Sequence, residues 1–119
     1  MIDNSPVWIE INCEGETTKT KYFGKFEIKR YLSFKEKSDV ARLFETYSRG
    51  ITEDIAQKGI LYALAQLNFH VLSADCDWWK EKGLDILDEE PIVQLLAEVR
   101  KAQVGNKKDE PAPTAEKTA

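Results

Sequence analysis

The chain reads as a single α+β domain: an antiparallel β-hairpin or three-stranded meander, then three α-helices, then a disordered C-terminal tail. Three observations predict this. Apolar residues alternate with period two near the N-terminus, the period becomes helical after Ser33, and apolar content collapses after Val104. The expected boundaries are residues 1–104 for the domain and 105–119 for the tail.

Pro6 to Leu32 reads as strands. Val7, Ile9, Ile11 and Cys13 fall on one face, with Trp8, Glu10 and Asn12 on the other. Glu14-Gly15-Glu16 is the expected turn, with Gly15 able to take positive φ. Thr17 to Phe23 is rich in Thr and aromatics and suits a second strand. Gly24 is expected to mark a bulge or bend before Phe26 and Ile28 resume the alternation.

Ser33 and Glu36 then have capping-box spacing, which satisfies free amide donors at a helix start. Val40, Leu43, Phe44 and Tyr47 recur at helical spacing up to Gly50, a natural stop. A second helix is expected from Thr52, with Glu53 and Asp54 in its first turn. Its broad stripe of Ile55, Ile60, Leu61, Leu64, Leu67 and Val71 runs to about Leu72 and makes it the central helix. Asp75 to Leu87 is expected to be a loop or short turns. Pro91 suits the first turn of a third helix, which faces the core with Ile92, Leu95, Leu96 and Val99.

The 119 residues give room for one core. A net charge of −4 argues against non-specific nucleic-acid binding. The basic, aromatic stretch Lys19–Tyr31 has the composition of a stacking surface, but its alternation is that of any half-buried strand. No apolar run approaches the roughly 20 residues a membrane span needs, and the opening MIDNSPVW lacks the pattern of a signal peptide. Cys13 and Cys76 leave one disulfide open as an alternative, but a reducing cytosol with free thiols is expected.

Charge is unevenly placed. Lys19 to Arg49 carries nine basic residues against four acidic ones, and Asp75 to Glu90 carries seven acidic against two basic. Such opposed patches suit pairing within one molecule or between copies. The Trp78-Trp79 pair stands inside the acidic run. Neighbouring indoles in a loop are expected to diverge, one plugging the core and the other covering the surface as a partner anchor. Trp78, Trp79, Asp75 and Asp77 are therefore the candidate partner contact, with Lys29, Arg30 and Arg42 as the opposing patch.

No pattern assembles an active site. His70 is the only histidine and lies on an expected buried helix, where it reads as a satisfied core imidazole. One His and two distant Cys make an incomplete zinc set. Counted from Asp75, the sixth and twelfth positions of a calcium loop are Lys80 and Ile86, which fails that pattern. All six glycines are solitary, so there is no phosphate loop. No cofactor is expected.

Gly24-Lys25-Phe26 running into Tyr31-Leu32-Ser33, the Trp78-Trp79 pair, and Gly83-Leu84-Asp85 before the last helix form a recognisable order. Over Val7 to Ala102 it resembles the small tail assembly chaperone-type proteins encoded beside the tape measure gene in long-tailed bacteriophages. The resemblance implies a non-enzymatic assembly protein in the host cytoplasm that binds the tape measure protein, oligomerises, and gives way to tail tube subunits. The alternatives are a minor structural virion protein (capsid, connector or tail component) retained in the mature particle, and a small phage regulatory protein binding a host factor.

Overall fold

The computed structural model describes residues 4–49 and 54–107. Its element order is β1 (Val7–Glu14), β2 (Lys21–Ile28), α1 (Phe34–Tyr47), α2 (Ile55–His70), β3 (Val71–Asp75) and α3 (Glu90–Lys107). A short 3-10 turn at Glu81–Gly83 precedes α3. The three strands form one antiparallel sheet in the order β1-β2-β3, so the α+β reading holds. The third strand comes after two helices rather than from a meander ahead of them.

Alternation in β1 sends Ile11 fully into the core, with Val7, Ile9 and Cys13 half-buried on the same face. Its register pairs Val7 with Ile28 and Glu14 with Lys21. In β2, Tyr22, Gly24, Phe26 and Ile28 point inward and Lys21, Phe23 and Lys25 outward. No bulge occurs at Gly24. The irregularity lies one turn of alternation later, at Glu27/Ile28 against β3. Gly24 is small for a packing reason: a Cβ there would stand 2.9 Å from Cys76 Cβ and 3.3 Å from Trp78 Cζ2. The second strand begins at Lys21, leaving Thr17–Thr20 to the turn.

Ser33 caps α1 as expected. Its side chain accepts from the Glu36 amide and the Glu36 carboxylate accepts from the Ser33 amide. Val40 is the one fully buried residue of α1; Leu43, Phe44 and Tyr47 are half-buried. The expected stop at Gly50 and start at Thr52 lie outside the described residues. Asp54 is the N-cap of α2, accepting from the Gln57 amide, and Ile55 is 83 % exposed rather than part of the buried stripe. The helix ends at His70, two residues short of expectation, because the β-branched Val71 turns extended and opens a strand that pairs with β2.

The core is Ile11, Phe26 and Ile28 from the sheet, Ala63, Leu64 and Leu67 from α2, and Ile92, Leu95 and Val99 from α3. All three α3 residues come from the predicted face, and Pro91 is fully buried in the first turn. α3 continues through Gly105 to Lys107, so the tail boundary expected at residue 105 falls inside the helix; from 108 onward it lies outside the described residues.

Candidate functional site

The acidic tryptophan segment is built inward. Trp78 and Trp79 both pack edge-on against Phe26, with centroids 5.5 and 5.4 Å away, and Trp78 also meets Tyr22 at 5.1 Å. The Trp78 indole N–H donates to the Phe23 carbonyl at 3.0 Å. This corrects the expectation that the indoles diverge: the chain bends through residues 76–78, and both rings reach Phe26 on the inner side of the sheet. Gly83 makes room for this. It has φ +94°, and a Cβ there would stand 2.5 Å from Leu64 Cδ1 and 2.9 Å from Trp79 Cζ3. Both rings remain half-buried. Asp75 closes β3 opposite Lys25, and Asp77 is exposed.

The basic patch is largely engaged within the molecule. Lys29 pairs with Glu36, whose carboxyl is held below its ordinary range by that bond and by the Ser33 amide. Arg42 pairs with Asp39 on the same helix and donates to Ser38 Oγ at 3.2 Å. Arg30 is half-buried, and its carbonyl accepts from Gln103 Nε2 at 2.6 Å. Lys29 and Arg42 thus meet their carboxylates within α1, at Glu36 and Asp39.

What the described residues leave uncovered is the outer face of the sheet, because the core helices α2 and α3 contribute to its inner side. Register places Trp8 beside Glu27, with Ser73 on the far side of Glu27; Glu10 beside Lys25, with Asp75 beyond it; Asn12 beside Phe23; and Glu14 beside Lys21. Two large aromatics stand there half in water, Trp8 at 56 % and Phe23 at 53 % exposure. Alternation in the sequence had already put Trp8 outward, but the run Tyr22-Phe23 did not say which ring is buried. The edge of this sheet is partly closed, since the Asn12 amide donates to Gln94 Oε1 at 2.9 Å.

A second polar centre was not legible as such. Asp88 is only 4 % exposed. Its Oδ1 accepts from the Thr17 and Thr18 amides at 2.9 and 3.0 Å, and its Oδ2 from Thr18 Oγ1 at 2.5 Å and the Tyr22 hydroxyl at 2.7 Å. Those bonds, the Thr18 hydroxyl first, hold its carboxyl below the usual carboxylate range. In sequence it resembled one more helix-start acid. In the structure it ties the β1–β2 turn to the start of α3, and Glu90 adds a bond to the Glu16 amide at 3.2 Å. With its acceptor sites so engaged, Asp88 serves as a structural clamp.

His70 is buried at 4 % exposure, and its Nδ1 lies 2.7 Å from the Lys29 carbonyl, which fixes the N–H on Nδ1. The Lys29 amide returns a bond to the His70 carbonyl at 2.9 Å. Burial lowers the imidazole pKa below its ordinary 6.5, against a smaller opposing pull from the Lys29 carbonyl. The unfolded chain therefore binds more protons in mild acid. Stability is complete above about pH 6.5 and falls as pH drops through the folded-state pKa. His70→Gln keeps a donor for the carbonyl, and urea midpoints of that variant are expected to lose this mildly acidic limb. An unchanged limb would show that another group carries it.

Cys13 and Cys76 are unbonded thiols, and burial pushes both up from 9.0. No helix among the described residues is long and apolar enough to cross a membrane. Comparison of the chain with protein-family models, with curated proteins and with solved structures returns no match.

Proposed function

We propose that this chain is a non-enzymatic protein-binding module that acts in assembly, in its most specific form a tail assembly chaperone engaging the tape measure protein in the host cytoplasm. The specific form rests on the resemblance carried by Gly24-Lys25-Phe26, Trp78-Trp79 and Gly83-Leu84-Asp85. The observation that supports protein contact is the uncovered sheet face, where Trp8 and Phe23 stand half-exposed among Glu10, Glu14, Lys21 and Lys25. Large aromatics ringed by charge are the usual composition of binding hot spots. The contact expected at Trp78 and Trp79 is thereby moved to Trp8 and Phe23, because the former pair is engaged with Phe26.

Mass spectrometry of assembly-stage lysate alongside purified mature particles tests the reading. Presence in lysate and absence from particles is the expected result. Stoichiometric retention in particles would replace it with a structural virion component. The double variant Trp8→Ser/Phe23→Ser is expected to keep its thermal midpoint while losing co-purification with its client. Retained co-purification would remove the sheet face from the reading.

A further inference from the structure

The groove between α1 and α2 is closed at its base by α3, and it is polar where helix packing is ordinarily apolar. Tyr62, Gln66 and His70 lie on α2 at successive four-residue intervals and line one wall. Lys37 and Val40 of α1 line the other, with Tyr31, Leu32 and Gln103 completing a space of about 390 Å³. That is within the range of small-molecule sites, which combine apolar walls with a few convergent polar groups.

The base of this groove is fixed before any ligand arrives. The Tyr31 hydroxyl donates to the Gln103 carbonyl at 3.1 Å, and Gln103 Nε2 donates to the Arg30 carbonyl at 2.6 Å. Gln103 therefore offers its amide oxygen as an acceptor. His70 has committed Nδ1 to Lys29, so the nitrogen it retains for a ligand is Nε2, an acceptor in the neutral ring. Lys37 supplies the positive charge. Its ammonium lies 5.2 Å from the Phe34 ring centre, and it makes no ion pair among the described residues. Leu32 and Val40 supply apolar wall, and the Tyr62 ring is braced edge-on by Phe44 at 5.3 Å.

We infer that this groove binds a small carboxylate with a planar apolar body and one N–H or O–H donor. The carboxylate meets Lys37, the body lies along Leu32, Val40 and Tyr62, and the donor meets His70 Nε2 or the Gln103 amide oxygen. An anion without a donor would leave those two acceptors unpaired, and a neutral molecule would leave the lysine unused. The site shares no residue with the uncovered sheet face, so it stands or falls independently of the client-binding reading.

The single histidine makes the test clean, because one imidazole spin system reports on the groove. The full chain is titrated with indole-3-acetate and, separately, indole-3-acetamide, while His70 ring nitrogen shifts are followed by long-range ¹H–¹⁵N NMR. The acid is expected to saturate with a Kd of about 1 mM or tighter and to bind about tenfold better than the amide. Lys37→Ala, at an exposed position, should weaken the acid about tenfold and leave the amide unchanged. Gln66→Trp, which fills the groove, should abolish both titrations while the fold, checked by the remaining amide spectrum, persists. Three results would overturn the site: no saturable His70 shift, equal binding of acid and amide, or an acid affinity indifferent to Lys37→Ala.

Discussion

Phe26→Ala is expected to lower stability by about 3–5 kcal/mol, the range for emptying a fully buried aromatic position. Phe26 is completely buried and belongs to the central strand. Its ring is the surface on which Trp78 and Trp79 both seat, so its loss removes two edge-to-face contacts as well as core volume. The indoles would then be held chiefly by the Trp78 bond to the Phe23 carbonyl, the Trp78 contact with Tyr22 and the wall at Gly83. Urea unfolding gives the magnitude, and native-state tryptophan emission should shift to the red as the pair gains water. Phe26→Leu retains most of the volume and should cost appreciably less. A loss under about 1 kcal/mol for the alanine variant would mean that the pair is seated by something else.

Gly15→Ala is expected to be nearly as damaging, about 3 kcal/mol, at the upper end of overpacking penalties. Its backbone does not need glycine for positive φ, since Gly83 is the one described glycine in that region. The reason is contact: a Cβ at Gly15 would fall within the Asp88 carboxyl group and 2.6 Å from Asp88 Cβ. The added methyl must displace the carboxylate that holds Thr17, Thr18 and Tyr22. The two sites should therefore couple, with Gly15→Ala/Asp88→Ala less destabilised than the sum of the single changes. Strict additivity would show that the methyl is accommodated elsewhere.

Acid should act on the same clamp. The Asp88 carboxyl sits below its ordinary 3.8 in the folded chain, so its contribution is present above that pH. It is lost as pH falls through the folded-state pKa, where protonation removes acceptor capacity. Asp88→Asn should begin less stable at neutral pH and show a shallower decline in acid.

Sequence periodicity was sufficient wherever one residue type fills one face. The inward set of β1, the capping box at Ser33 and the α3 face of Ile92, Leu95 and Val99 all stand as predicted. It was insufficient where the deciding partner is distant in the chain. Val71-Leu72 continues the apolar stripe of α2, and only the pairing of Val71 with Ile28 and of Ser73 with Glu27 pulls that stretch into a strand. Gly15 and Gly24 looked like turn and bulge markers, yet each is small because a residue from a later segment, Asp88 or Cys76, occupies the adjoining space. Asp88 was one acid among seven in its run, and nothing local distinguishes it. The tryptophan pair was visible as a feature, but its direction depends on Phe26, more than fifty residues earlier.

The late arrival of β3 has a kinetic consequence. β1 and β2 are neighbours joined by a short turn and can zip locally, whereas β2 must wait for Val71–Asp75 to receive its second partner. Until that segment emerges and α2 has formed, the central strand is a temporary edge, with Phe26 and Ile28 beside unpaired backbone groups. Loop closure across two helices makes this pairing the slow, non-local step. Overexpression and slow refolding should therefore be the conditions under which the chain associates with itself through β2, and faster β3 docking the change that relieves it.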